Sequence, residues 1–375
     1  MNFKNANIYT AQFRFERGAF SVEDGKFCNV LGQEAPDAVD LGGAYVIPGL
    51  IDVHTHGNSG ADFSDGDVTG VEKMAKYLAK NGVTSFAPAS MTLPYETLEK
   101  AFASARAFVD AGHEDAAALR GIQMEGPFFS EKKKGAQNGA YLRNPDFDAF
   151  RALQEGCGGL VRIVDVAPEL PGAEEFIRRA KALCTVSIAH TDADYDAARR
   201  GIEAGVTHLT HLYNAMPAIH HRKPGVIAAA AEAEAVSAEL ISDGQHVHPA
   251  SVRLAFRIFG ASRMVLISDS LRCCGMPDGE YELGGQQVFL KGGVARLADG
   301  TIAGSATNLY ECMQRAVSFG ISREDAIRAA TYNPARQIGA LAEVGSIENG
   351  KCADFVVCDA ELNSKAVWLR GVQLS

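Results

Sequence analysis

LIDVHTH, residues 50–56, begins as a buried strand and ends in two histidines one residue apart. Leu50, Ile51 and Val53 are apolar, partly β-branched residues of the kind that pack inside a sheet. His54 and His56 are not. Side chains at i and i+2 of a strand share a face, so both imidazoles aim the same way. Polar, metal-competent groups at the end of an apolar strand fit a strand that opens onto a site.

The pattern recurs along the chain in VTSFAPAS (83–90), LRGIQMEG (119–126), LVRIVDVAPE (160–169), CTVSIAH (184–190), THLTHLYN (207–214), AELISDGQH (238–246) and MVLISDS (264–270). Each run ends in a polar residue and gives way to a turn signal and then to helical apolar spacing. The helical segments include VEKMAKYLAK, LEKAFASARAFVDAG, EEFIRRAKAL, YDAARRGIEAG and SVRLAFRIFG, several of them stopped by glycine. Eight β-then-α units predict an α/β fold, a (β/α)8 TIM-type barrel, because parallel strands need helical crossovers. Polar residues then belong at the strands' C-terminal ends. His54, His56, Glu125, His190, His211, Asp243, His246 and Asp269 all fall there.

The flanks read differently. NIYTAQFRF, AFSVEDGKFCNV and AYVIPG alternate as β-strands with D-G and G-G turns, and GSIENGKCADFVVCDAELNSKAVWLRGVQL resumes the pattern at the other end. The expectation is one small β-sandwich built from residues 1–48 and 344–375, beside a barrel over 49–343. The stretch from Met276 to Gly304 reads as a β-hairpin excursion after strand 8, a flap over the site.

With 375 residues, 47% hydrophobic and 22% charged, the chain can bury a large core and shows no compositional sign of disorder. Its 36 basic and 46 acidic side chains leave a net charge of −10, which argues against nucleic acid or an anionic membrane as the main partner. An anionic substrate must meet a local basic patch. The N-terminal MNFKNANIYTAQFRFERGAF lacks an apolar targeting segment, and no run of about 18 uncharged apolar residues occurs. A cytoplasmic protein is expected. The eight cysteines are scattered without a C-x-x-C pair and read as reduced and structural, with Cys273 and Cys274 near enough to a strand end to touch a site.

The strand ends carry the chemistry. His54, His56, His190 and His211 with Glu125 bring four imidazoles and a carboxylate into one ring, a donor set that suits zinc or iron and accommodates cobalt or manganese. Two groups follow, His54, His56 and Glu125 for one metal and Glu125, His190 and His211 for another, with Glu125 shared. A bound metal lowers the pKa of water from about 15.7 to near 7. Hydrolysis also needs a proton carrier, and Asp269, ending strand 8 in LISDS, is placed for it. Asp52 and Asp243 read as turn residues or as groups that orient histidines. HHRKPG, residues 220–225, concentrates positive charge in an acidic chain, and the Arg222 guanidinium matches phosphate oxygens bidentately.

The H-x-H of strand 1, histidines at strands 5 and 6 and an aspartate at strand 8 resemble the amidohydrolase superfamily of metal-dependent barrels. EGPFFSEKKKGAQ (125–137), AHTDA (189–193), HLYNAM (211–216), HHRKPG, SDGQHVHP (242–249), ISDS and DGTIAGSA (299–306) narrow this. In their order they are similar to the N-acetylglucosamine-6-phosphate deacetylase family over nearly the whole chain. That resemblance implies hydrolysis of the acetamide of a small sugar phosphate. It implies a metal site of Glu125, His190 and His211, with Asp269 as acid and base. His54 and His56 are kept in some members and replaced in others, which leaves one or two metals per subunit. Arg222 is assigned to the phosphate and Asn214 and Ala215 to substrate contacts. His246 is placed beside the sugar or acetyl group, with Ile302, Ala303 and Gly304 along the pocket wall. A homodimer is implied, its Arg222 loop reaching the neighbouring subunit's site.

There is one departure. The family often has histidine after K-K-G-A, where this chain has Gln137, which hydrogen-bonds but carries no charge; the galactosamine epimer thereby becomes an alternative substrate. A cyclic-amide hydrolase is disfavoured, because many barrel amidohydrolases end strand 4 in a carbamylated lysine and LVRIVDVAPE has none. The family's substitute is the strand 3 glutamate, matching Glu125. A non-catalytic carbohydrate-binding barrel would not need five converging ligands.

Overall fold

The apolar runs become eight strands in the computed structural model, which describes residues 1–374: Leu50–Thr55, Val83–Pro88, Ile122–Met124, Val161–Val166, Thr185–Ile188, His208–Leu209, Ser237–Ile241 and Met264–Ile267. They are barrel strands 1 to 8. Strands 3 to 8 form one sheet in sequence order, strands 1 and 2 pair in parallel, and a parallel bridge between Ala89 and Gln123 joins strand 2 to strand 3. The seam between strands 8 and 1 is made at their C-terminal ends. There the Asp269 N–H donates to the His54 carbonyl at 2.9 Å and the His56 N–H to the Ser270 carbonyl at 2.8 Å.

A helix follows each strand, beginning with Val68–Lys80 after strand 1 and ending with Leu309–Ser318 after strand 8. The first shows why these segments are helical. The Asp67 carboxylate accepts from the N–H groups of Thr69 and Gly70, and Val71, Met74, Ala75 and Leu78 repeat at i, i+3, i+4 and i+7 to bury one face. Among the described residues no helix is long and apolar enough to cross a membrane, and all eight cysteines are free thiols.

The two ends of the chain share one eight-stranded sheet. Its order runs from Val372–Gln373 through Ser364–Leu369, Phe355–Cys358, Tyr45–Pro48, Asn2–Tyr9 and Phe15–Glu23 to Lys26–Cys28, with Val39–Asp40 alongside Asn2–Tyr9. Phe27 and Phe355 lie four strands apart in that order, which would be roughly 19 Å in a flat sheet. Their ring centroids are 5.8 Å apart. The sheet therefore curls over a core of Phe3, Phe20, Phe27, Phe355 and Trp368, the most stacked pair being Phe355 and Trp368 with rings 5.4 Å apart.

The excursion after strand 8 differs from a simple hairpin. It is a three-stranded antiparallel sheet, Gly279–Leu283, Gln286–Lys291 and Val294–Leu297. The reason is its two Gly-Gly pairs. Gly284, Gly285, Gly292 and Gly293 all have positive φ, the backbone that two-residue hairpin turns require, so the strand reverses twice. The sheet is tied to the loop after strand 3 by the Gln286 side-chain amide, which donates to the Ala136 carbonyl at 2.6 Å.

Candidate active site

At the strands' C-terminal ends lies a cavity of 320 Å³. Of the residues singled out in the sequence, His56, Glu125, Gln137, His190, His211, Asn214, Ala215, His246, Asp269, Ile302 and Gly304 line it. His54 stands directly behind, fully buried. Ala303 is buried outside the lining, its N–H bound to the Ala295 carbonyl. Arg222 is exposed on the loop after strand 6 and also lies outside the lining; its Nη1 is 2.7 Å from His221 Nε2. No lysine or arginine lines the cavity among the described residues.

The chain bends sharply where these groups emerge. His190, His211 and Asp269 have φ of 44°, 31° and 49°, and Ala215 has 53°. Side chains rarely adopt this left-handed region, at a cost on the order of 1–3 kcal/mol each, and such backbones gather at functional sites. Strand 6 is only two residues long because the backbone leaves the sheet just before His211. Gly304 reflects the same crowding, since a Cβ there would lie 2.8 Å from the Asp269 carbonyl oxygen and 2.6 Å from Leu271.

Glu125 is the hub. Its Oε1 is 3.0 Å from His190 Nε2 and 3.2 Å from His211 Nε2, and its Oε2 is 3.3 Å from His56 Nε2. Gln137 clamps that second oxygen, donating its Nε2–H to Oε2 at 2.7 Å while its own carbonyl accepts the Thr92 N–H at 2.7 Å. Asp269 Oδ1 is 3.2 Å from His56 Nε2 and 3.7 Å from His54 Nε2. The far sides of three of the rings are held as well, while His211 Nδ1 has no hydrogen-bond partner. His56 Nδ1 faces the Ala89 carbonyl at 3.1 Å, His190 Nδ1 the Lys133 carbonyl at 2.9 Å and His54 Nδ1 the Glu239 carboxylate at 3.0 Å.

The electrostatics call for positive charge at the centre. Burial opposes ionisation of Glu125, but hydrogen bonds from His190, His211 and His56 outweigh it and hold the carboxyl well below its usual range. For Asp269 burial is likewise outweighed, here by the His56 hydrogen bond and the charges of His54 and His56, and its pKa is lowered. Burial works against protonation of His54, yet the Glu239 carboxylate overcomes it and pushes the pKa up to about 10. Two groups, His54, His56 and Glu125, and Glu125, His190 and His211, bring their donor atoms within 4.8 Å of one another.

Asp243 and Asp52 act as the sequence reading expects. Asp243 Oδ2 accepts from His246 Nδ1 at 2.8 Å, turning Nε2 of that ring towards the cavity. Asp52 accepts the Ser268 hydroxyl at 2.5 Å and the N–H groups of His54 and Ser268, so it ties strand 8 to strand 1. Cys273 and Cys274 stay out of the cavity lining, and burial pushes the Cys274 thiol up to about 12. Glu239 was not singled out in the sequence, where an acid between Ala238 and Leu240 fits an alternating strand; the structure shows all five residues of SAELI buried.

Residues 45–373 match the Amidohydrolase family, and the chain belongs to it. Within that family it is 37% identical to N-acetylglucosamine-6-phosphate deacetylase of Bacillus subtilis (strain 168), over 96% of this chain and 93% of the relative. It is 35% identical to N-acetylgalactosamine-6-phosphate deacetylase of Escherichia coli O157:H7, over 86% of each. The solved structure of N-acetyl-D-glucosamine-6-phosphate deacetylase from Mycobacterium smegmatis, in complex with N-acetyl-D-glucosamine-6-phosphate, superposes with a TM-score of 0.93 at 33% identity, covering 100% of this chain and 99% of that one.

Proposed function

We propose that the chain hydrolyses the acetamide of N-acetyl-D-glucosamine 6-phosphate to D-glucosamine 6-phosphate and acetate. The observation that carries this reading is the convergence of the carboxylates of Glu125 and Asp269 with the imidazoles of His54, His56, His190 and His211 at one cavity, in a chain whose relatives carry that activity in their names. A divalent cation fits the residues present. His190 Nε2 and His211 Nε2 face each other at 3.1 Å across one carboxylate oxygen, and His54 Nε2 is buried without a hydrogen-bond partner. Opposed ring nitrogens and an unpartnered one are satisfied together by cations between them.

Glu125, His190 and His211 would hold one ion and His54, His56 and Glu125 another, one or two per subunit, with zinc or iron best suited and cobalt or manganese accommodated. Such an ion, when bound, acidifies water and polarises the acyl carbonyl. Asp269, held as a carboxylate, takes the proton of the attacking water and returns it to the departing amine. His246 offers Nε2 to the substrate, as acceptor for a sugar hydroxyl when neutral and as donor to the acyl oxygen when protonated. Gln137 fixes the Glu125 carboxylate, a task that needs one donor and one acceptor and no charge. Asn214, Ala215, Ile302 and Gly304 shape the wall around the sugar, and Ala303 is buried outside that lining.

The 6-phosphate is assigned to Arg222. Because no lysine or arginine lines the cavity among the described residues, we place that arginine in the neighbouring subunit's site, in a homodimer. The terminal sheet is read as a β-sandwich from residues 1–48 and 344–375 beside a barrel over 49–343, and the protein as cytoplasmic. The galactosamine epimer is the second reading, favoured by the Escherichia coli relative; kcat/KM for the two sugars separates them. The deciding experiment measures metal in the native protein and turnover of N-acetyl-D-glucosamine 6-phosphate before and after chelation. Loss on chelation and recovery on adding metal are expected. Full turnover by metal-free protein would end the proposal.

A further inference from the structure

We propose that Glu239 is the positioning residue that makes His54 a ligand, and so decides whether the group of His54, His56 and Glu125 takes a cation of its own. This rests on the metal reading above. Glu239 lies in strand 7, and its side chain is wholly buried. Its Oε2 is 3.0 Å from His54 Nδ1 and also accepts the backbone N–H of His211 at 3.2 Å. Its Oε1 has no hydrogen-bond partner and lies 3.7 Å from His208 Nδ1. Burying a carboxylate costs several kcal/mol unless it is well paired, so this one is explained by what it holds.

What it holds is a tautomer. An ionised carboxylate only accepts, so in the neutral ring that a cation requires the one His54 proton sits on Nδ1 and Nε2 turns its lone pair to the site. That nitrogen lies 3.8 Å from Glu125 Oε1 and 3.7 Å from Asp269 Oδ1, with no hydrogen bond. This is the state a metal-binding imidazole needs, and groups behind ligating histidines tune metal affinity by 10–100-fold. The other rings are arranged differently. Backbone carbonyls hold His56 and His190 at Nδ1, where substitution cannot remove them. His54 depends on a side chain. Through the His211 N–H the same carboxylate also steadies the left-handed backbone of the other group.

The test is zinc stoichiometry and affinity of the full-length protein, measured by equilibrium dialysis and elemental analysis, with thermal melting of the metal-free variants to confirm folding. The parent should bind two equivalents, one per group. Glu239→Leu keeps the volume and removes the acceptor, so His54 moves its proton to Nε2; one equivalent should weaken by about 10–100-fold. Glu239→Gln keeps an acceptor without the charge and should weaken the same equivalent less. If the leucine variant does not fold, the glutamine variant decides. His54→Asn should lose that equivalent too, and adding Glu239→Gln to it should cost nothing more. A folded Glu239→Leu protein with both equivalents at parental affinity overturns the assignment, as does a parent with one equivalent that Glu239→Leu leaves unchanged. A parent that binds no zinc removes the metal reading itself.

Discussion

The cavity has two kinds of wall. On one, His56, Glu125, His190, His211 and Asp269 come from the ends of barrel strands, each fixed by the sheet behind it and by its neighbours. On the other, Asn214, Ala215, Leu283, Thr301 and Ile302 come from loops and from the flap, and none is charged. The guanidinium that suits a phosphate stands outside, on an exposed loop. A reacting bond needs groups held to fractions of an ångström, which strands provide, whereas a distant phosphate needs only charge within reach. Substitutions on the two sides should therefore damage different kinetic constants.

The largest effect is expected at Asp269. Asp269→Asn keeps the shape and removes the basicity, so kcat should fall by about 10²–10⁴ while folding and metal content stay at parental levels. Steady-state kinetics with elemental analysis read this. Near-parental kcat would take Asp269 out of the proton path and leave the rigid wall without a base.

A smaller effect, on the other constant, is expected at Arg222. A hydrogen bond to a charged group contributes about 1.5–3 kcal/mol, so Arg222→Ala should raise KM by roughly 10–150-fold with kcat little changed. On the sugar lacking its 6-phosphate the variant and the parent should be alike. Mixing Arg222→Ala chains with Asp269→Asn chains sharpens the point. If Arg222 serves the neighbouring site, each mixed dimer regains one complete site and activity returns; no recovery would place the arginine in its own subunit's site.

The same contrast governs what the sequence reveals. Strand ends are legible because period two puts His54 and His56 on one face, and because a polar tail on LIDV or MVLI has few other uses. Glu239 is not, since a single acid in SAELI reads as one polar position of an alternating strand until the barrel closes around it. Arg222 is legible by residue type and not by place, because the target of a side chain on an exposed loop depends on loop geometry that residue spacing does not carry. The extra strand of the flap lay in plain view as a second Gly-Gly pair, with only the count of turns to decide it.

The smallest effect on catalysis is expected farthest from both walls. Phe20 is buried in the terminal sheet against Phe3, Phe27 and Phe355, with ring centroids at 4.7, 5.9 and 5.3 Å. Phe20→Ala should destabilise the protein by about 3–5 kcal/mol and lower its melting temperature. The sheet does touch the barrel, because the Gly49 N–H donates to the Asp354 carbonyl at 2.9 Å just before strand 1 begins. Beyond that point, however, strand 1 is held by Asp52 to Ser268, and His54 by Glu239. Displacement of the sheet should stop there. Turnover per metal-loaded, folded molecule should therefore equal the parent's, measured well below the melting transition. A drop in kcat under those conditions would mean that the terminal sheet sets the position of His54 and His56, and the rigid wall would then extend to the ends of the chain.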